Sequence, residues 1–280
     1  MHINVNIICI SAACFGASAA GSLVGLGGGV LIIPILTVGF GMDIRMAMGV
    51  GLISIIATSC GPALLASSAR YMNMRVALLL ELVASIGAIG GAMLVPHVNT
   101  QILSLMFGVI MLTIAILNLR SKSEVGTSLA NADPLATLLR LDASAPNAAE
   151  IETAYHLRRI PGGAAIMLFA GIVSGLLGIA SGALKILAMD NCMNMPARVS
   201  SMTSNFMIGI TAAAGALVFF SNGFIDSRVA IFVIAGALPG SILGAKLMPH
   251  LPLNILRLIF VFMLFVVGIQ MFLRGLRITL

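Results

Sequence analysis

Glycine interrupts this chain twice inside segments that are otherwise apolar, and no other feature restricts its fold as much. The first stretch is Gly21-Ser-Leu-Val-Gly25-Leu-Gly27-Gly28-Gly29, followed by Val-Leu-Ile-Ile-Pro34. The second is Gly171-Ile-Val-Ser-Gly175-Leu-Leu-Gly178-Ile-Ala-Ser181-Gly182, followed by Ala-Leu-Lys185. Gly21, Gly25 and Gly28 fall on Gly171, Gly175 and Gly178 at one offset of 150. Glycine weakens a helix and frees backbone polar groups. Hydrocarbon cannot satisfy those groups, so broken backbone at membrane depth must face protein or a water-filled cavity.

The surrounding segments are membrane-like. The chain is 60% hydrophobic and 9% charged, whereas soluble domains carry roughly 25% charged residues. Apolar runs long enough for a hydrocarbon core of ~30 Å recur along most of it. They are continuous, not alternating, which excludes a β-barrel. The fold class is therefore all-α, a polytopic integral membrane protein. The net charge of +6 sits at the ends of apolar runs, where it sets topology, and carries no nucleic-acid signature. The apolar stretch ending in Ala17-Ser18-Ala19 lacks the basic start of a signal peptide and is read as a retained helix.

An internal repeat organises the chain. Beyond the breaks the offset becomes 153: Arg75-Val76-Ala77 falls on Arg228-Val229-Ala230, Gly87 and Gly91 on Gly240 and Gly244, Pro96-His97 on Pro249-His250, and Arg45 on Arg198. The change from 150 to 153 is one three-residue insertion. This gives a first transmembrane repeat over 1–119, a polar linker over 120–160 and a second repeat over 161–280. Short surface helices are expected at 134–141 and 148–159. Arg120, Lys122, Arg158 and Arg159 place the linker in the cytoplasm, and Arg70, Arg75, Arg228, Arg274 and Arg277 fit the same register. About eight spans in two four-span halves follow from run lengths. If each broken segment dips in and returns, the parity changes and the repeats are inverted.

Paired breaks at matching positions of two halves are the best sequence pointer to a midplane binding site. Small-xxx-small spacing explains Gly87-xxx-Gly91 and Gly236-xxx-Gly240-xxx-Gly244 as packing ridges. It does not explain Gly27, Gly28 and Gly29 in succession, since packing uses one helix face. Half-helices starting near Val30 and Ala183 would aim free N–H groups inward, toward an anion. The candidate site is Gly27, Gly28, Gly29, Gly178, Ser181, Gly182, Lys185, Thr203, Ser204 and Asn205. Thr203-Ser204-Asn205 lies in a polar run opening an apolar span. It supplies either a cap and interhelical hydrogen bonds or donors to an oxyanion.

A lysine inside a span points to function by default. Lys185 supplies counter-charge, or else snorkels or pairs with Asp190. Glu81 is expected shallow in its run, as a partner of Arg75 or another cation, or as a proton-coupling carboxylate. Arg45 and Arg198, just before spans, screen anions at a mouth or fix topology. Lys246, His97 and His250 anchor span ends. Of the four cysteines, Cys9, Cys14 and Cys60 read as small buried hydrophobes, and Cys192 lies in a polar turn near the second break, with a substrate, redox, coupling or gating role in view. No metal spacing, Walker loop or nucleophile elbow is present, so neither a cofactor nor an enzymatic activity is expected.

On Gly21-xxx-Gly25-x-Gly27-Gly28-Gly29 with Pro34, on Gly171-xxx-Gly175-xx-Gly178, and on Thr203-Ser204-Asn205-Phe206-Met207-Ile208-Gly209, the chain resembles the TauE/SafE family of sulfite and organosulfonate exporter-like membrane transporters. The internal duplication matches as well, so the resemblance covers the chain outside the linker. It implies a secondary-active transporter, an exporter of a small sulfur-containing anion, in the bacterial inner membrane. Protons are the expected coupling ion. A homodimer is one of the assemblies left open. An anion pore, or a non-transport membrane subunit of a sulfur-metabolism complex, would share the fold. Val50-Gly51 stands in the first half where Thr203-Ser204 stands in the second, which shifts the expected site toward the second half.

Overall fold

The architecture is a bundle of apolar helices with two short, broken helices at its centre. The computed structural model describes residues 7–23, 29–63, 73–120, 143–146, 152–155, 157–179, 181–247 and 253–276. In chain order these form α1 (Ile7–Leu23), α2 (Gly29–Pro34), α3 (Ile44–Ala63), α4 (Met74–Leu94) and α5 (Thr100–Arg120), then strands β1 (Ala143–Pro146) and β2 (Glu152–Tyr155). They continue as α6 (Ile160–Leu177), α7 (Gly182–Leu187), α8 (Ala197–Ser221), α9 (Ser227–Leu247) and α10 (Leu253–Gly275). Among the described residues, five segments are long and apolar enough to cross a membrane: Met74–His97, Thr100–Leu117, Ile160–Leu177, Met202–Ser221 and Ser227–Leu247. Large apolar side chains such as Leu82, Ile86, Phe220 and Phe262 point outward, as a lipid-facing surface requires. Cys14 is buried as expected, but Cys9 is exposed on that same outer surface.

Local sequence sets the helix ends in matching ways. Asn73 caps α4 by accepting from Val76 N at 3.2 Å. Asp226, at the repeat offset, accepts from Arg228 N at 2.9 Å and Val229 N at 3.3 Å at the start of α9. α2 runs on into a π-helical turn at Ile35–Gly39, and α7 into one at Ala188–Cys192. These two turns are also 153 residues apart, and each is followed by the same closure, Met42 N to Leu36 O and Met195 N to Met189 O. π turns of this kind gather at functional sites.

Packing interleaves the two halves. Gly171 and Gly175 of α6 lie against Ala84 and Ala88 of α4, where a methyl group would overlap the carbonyl oxygens. Gly236, Gly240 and Gly244 of α9 lie equally close to the carbonyls of Ser11, Phe15 and Ala19 of α1. Ser18 Oγ adds a 2.7 Å bond to Ala237 O. These are the close backbone contacts that small residues permit in lipid. The glycines expected to pack do so.

The contact pairs also give helix directions. Residue numbers rise together along α4 and α6, and along α9 and α1, so each pair is parallel. Gly209 lies by Ser59 and Gly215 by Leu52, so α8 and α3 are antiparallel. Gly108 meets Gly268 and Phe272, and Gly275 meets Leu105, so α5 and α10 are antiparallel too. Asn73 N donates to Thr203 Oγ1 at 3.3 Å, joining the starts of α4 and α8. Gly49, near the start of α3, packs on Phe224 O just before α9. Arg75 and Arg228 therefore lie on opposite faces, and Arg274 lies opposite the linker end of α5. The single-face register expected for these basic residues does not hold, because equivalent helices run in opposite directions. The broken segment also returns to its origin: Arg158 N donates to Met193 O at 3.2 Å, and Met193 packs on Gly163 at the start of α6.

The linker departs from expectation as well. Residues 152–155 form a strand, not part of a surface helix. They pair antiparallel with β1, Ala143 opposite Tyr155 and Pro146 opposite Glu152. Thr153 and Tyr155 favour extended backbone, and Asn73 Nδ2 donates to Tyr155 OH at 2.9 Å, tying the strand to α4. The expected helix at 134–141 lies outside the described residues.

Candidate functional site

The second break is built around Gly178. Its φ of +65° ends α6 in the left-handed region that glycine adopts without strain. A side chain there would also strike Met48 of α3. Ser174 Oγ donates to Ile179 O at 2.7 Å, satisfying a carbonyl freed past the helix end. Ser181 then precedes α7, and its buried Oγ has no hydrogen-bond partner among the described residues. Ser204 Oγ of α8 donates to Gly182 O at 3.3 Å. The break is thus held from both sides.

One turn into α7, Lys185 is fully buried. Its Nζ lies 3.0 Å from Glu81 Oε2 of α4. It also contacts Thr211 Oγ1 of α8. Thr211 Oγ1 is 2.6 Å from Glu81 Oε1 and 3.0 Å from Met207 O. Ser85, one turn beyond Glu81, donates to Oε1 at 3.1 Å. Three helices therefore deliver an ammonium, a carboxylate and a hydroxyl to one buried point. A buried charge left without a partner costs several kcal/mol, so the two ions hold each other in place.

This arrangement meets one expectation and corrects another. Glu81 is buried, 3% exposed, where α8 and the returning α7 cover that part of α4, and it is the partner of another cation, Lys185. Lys185 pairs with Glu81, not Asp190, because a lysine on the first turn of α7 faces α4 and α8. Thr211 and Ser85 were not singled out from sequence. Thr211 carried a signal: it falls on Thr58 at the repeat offset, a hydroxyl kept in both halves of an apolar span.

The remaining predicted residues are distributed as follows. Gly29 packs against Ile55 and Gly51 O, and Gly51 in turn approaches Gly178 O. The first broken helix and the second break thus meet across α3. Gly27 and Gly28 lie outside the described residues. Thr203 is buried on Asn73 N, so its hydroxyl oxygen serves the start of α4. Asn205 is half-buried one residue beyond Ser204. Arg45 donates from Nη2 to Val98 O at 2.8 Å, with its guanidinium 5.8 Å from the Phe224 ring centroid. It ties together the turns before α5 and α9, an anchor's set of contacts. The Arg198 side chain lies outside the described residues. Cys192 sits against Gly162 at the start of α6, away from the cluster of Lys185. Among the described residues, no group of three or more His, Cys, Asp or Glu side chains could hold a metal ion.

Comparison with known proteins gives one consistent result. The sequence profile of the family described as sulfite exporter TauE/SafE matches residues 10–271. Two relatives in Bacillus subtilis (strain 168) carry the names "Probable membrane transporter protein YunE" and "Probable membrane transporter protein YdhB". The first is 26% identical over 92% of this chain and 94% of its own length. The second is 23% identical over 84% and 87%. A "Probable membrane transporter protein" of Xylella fastidiosa (strain 9a5c) is 25% identical over 80% and 78%. No solved structure matches. With the profile spanning nearly the whole of this multi-pass helical chain, the protein belongs to the sulfite exporter TauE/SafE family.

Proposed function

We propose that the protein is a secondary-active transporter that exports a small sulfur-containing anion by alternating access. The substrate would lie beside the second break, between α7 and α8. Gly178, Ser181, Gly182, Ser204 and Asn205 would line the site, and Lys185 would supply positive charge. Gly27, Gly28 and Gly29 would shape the facing wall. The substrate class and the outward direction come from the family description. The observation that carries the reading is the fully buried Lys185 at a helix break: an intramembrane cation at a site where backbone cannot face lipid.

The helix directions support inverted repeats over 1–119 and 161–280. In this reading each half contributes one broken hairpin, α1–α2 or α6–α7, and three crossings. The linker face would be cytoplasmic, since Arg75, Arg120, Arg158, Arg159, Arg198 and Lys246 belong to that face against Arg45, Arg228 and Arg274 on the other. Rocking one set of hairpin and partner helices against the other would open the site to each side in turn.

The test is a thermal-shift screen of the purified protein with sulfite, sulfate, thiosulfate, taurine and sulfoacetate. It is followed by uptake of the stabilising anion into proteoliposomes. A bound anion at 100 times its Kd stabilises by about 2.7 kcal/mol. Saturable flux with that anion is expected. Conductance without saturation would show a pore, and stabilisation by none of the five would remove the anion site.

A further inference from the structure

Lys185 cannot serve an anion while Glu81 holds it. The pair is net neutral, 3.0 Å apart and buried. An anion approaching Lys185 from the break would bring a second negative charge beside the buried carboxylate, where protein surroundings screen charge far less than bulk water does. Like charges sharing one site do not both remain ionised. The carboxylate must then give up its charge or the anion must stay out.

The surroundings leave few alternatives for the compensating charge. On α4 the next ionisable side chain, Arg75, lies at the exposed start of the helix. α6, packed along α4, contains no ionisable side chain between Ile160 and Leu177. α8 offers Thr211 to the pair and has one ionisable residue, Arg198, in its first turn. The segment after Lys185 carries Asp190 and Cys192, which lie in the π turn leading back to the start of α6.

We infer that Glu81 is the proton site that couples the transport proposed above, taking up one proton each time an anion displaces it from Lys185. The exchange balances. Glu81 carboxylate accepts a proton from water on the open side and becomes a neutral carboxylic acid. Its ion pair to Lys185 Nζ breaks, and Lys185, still an ammonium, pairs with one anionic oxygen of the substrate. Before the exchange the two side chains sum to zero charge. Afterwards the ammonium and a singly charged sulfonate group also sum to zero. The acid keeps Thr211 Oγ1 and Ser85 Oγ as hydrogen-bond neighbours, so neither protonation state strands a buried polar group. Anion and proton then cross together in one direction. An inward proton gradient would oppose export, and export would be driven by accumulated anion.

The proposal rests on the anion-binding reading, and the experiment separates the two. Apparent Kd is measured against pH for an anion that stabilises the wild type, and again for Glu81→Gln, which mimics the protonated acid. One linked proton makes Kd rise about tenfold per pH unit wherever the anion-free pair holds Glu81 as a carboxylate. The readout is the difference in slope between wild type and Glu81→Gln, so any titration of the anion itself cancels. A difference of about one proton is expected. Equal slopes would overturn the coupling and leave anion binding standing. Binding of none of the five anions by wild type would overturn the transport reading and the coupling with it. Should Glu81→Gln fail to fold, infrared difference spectra of the wild type decide. Anion binding should replace a carboxylate band with a protonated carboxylic acid band, and that band should shift in Glu81→Asp. An anion that binds without producing the band overturns the proposal.

Discussion

At the position where the second half places Lys185 on α7, the first half places Ile32 on α2. Thr211 of α8 corresponds to Thr58 of α3, and Glu81 of α4 to Ile234 of α9. The backbone around the two positions is closely matched. Both short helices run on into a π turn at the same register, both caps use a short polar side chain, and the first helix of each hairpin offers its carbonyls to the glycines of a parallel helix, α6 to Gly87 and Gly91 of α4 and α1 to Gly240 and Gly244 of α9. Chemistry differs where structure repeats. The broken-helix backbone is present twice, but a charged cluster at both equivalent positions would require two desolvated ion pairs. One position is charged and its counterpart is apolar.

The largest expected effect comes from erasing that difference. Lys185→Met leaves Glu81 buried and unpaired, and should cost roughly 3–5 kcal/mol. Adding Glu81→Leu copies the apolar pattern of the first half and should recover most of the loss, since apolar replacement of a buried ion pair is often neutral or stabilising. Denaturation in detergent measures both, with transport abolished in each. If the double variant is no more stable than the single one, the two halves are not interchangeable surroundings.

Packing should respond alike in both halves. Gly87→Ala pushes a methyl into Leu168 O, and Gly240→Ala, at the equivalent position, pushes one into Phe15 O. Each should lose about 1–3 kcal/mol as α4–α6 or α1–α9 is forced apart. A loss confined to one variant would show that the hairpins are not equivalently seated. The hydroxyls should separate the halves again. Thr211→Val removes a hydroxyl that touches Lys185 and lies 2.6 Å from the Glu81 carboxylate, and about 1–3 kcal/mol is expected where charged groups lose a buried partner. Among the described residues Thr58 bonds within its own turn, to Ile55 O at 3.2 Å, and Thr58→Val should fall below about 1 kcal/mol. Equal effects would place Thr211 outside the site.

How much of this was readable follows from what each residue answers to. Membrane class, helical content and the glycine ridges were legible because they depend on local composition and spacing. Gly178 was legible as a break because its left-handed φ needs glycine. The Glu81–Lys185 pair was not, because the two residues are 104 apart and meet only after α7 folds back between α4 and α8. The direction of each half was also hidden: basic residues mark helix ends, but only interhelix contacts show which ends share a face. The three-residue insertion lies at 179–181, between Gly178 and Gly182, so Ser181 has no counterpart in the first half.

The smallest effects belong to the caps, and they sharpen the comparison because symmetry alone makes the forecast. Among the described residues, Asn73 accepts from Val76 N, while Asp226 accepts from both Arg228 N and Val229 N. Loss of such a cap costs about 1 kcal/mol. On cap geometry alone, Asp226→Ala should cost slightly more than Asn73→Ala. Asn73 has further ties, however. Its backbone N–H reaches Thr203 and its side-chain amide reaches Tyr155. Replacing it therefore loosens β2 and the linker from the start of α4, the helix that carries Glu81. Melting curves of the two variants should rank Asn73→Ala as the equal or larger loss. Limited proteolysis should show faster cleavage within 120–160 for Asn73→Ala alone. Equal linker cleavage in both variants would mean that Tyr155 contributes nothing to holding the linker, leaving Asn73 and Asp226 as plain symmetric caps.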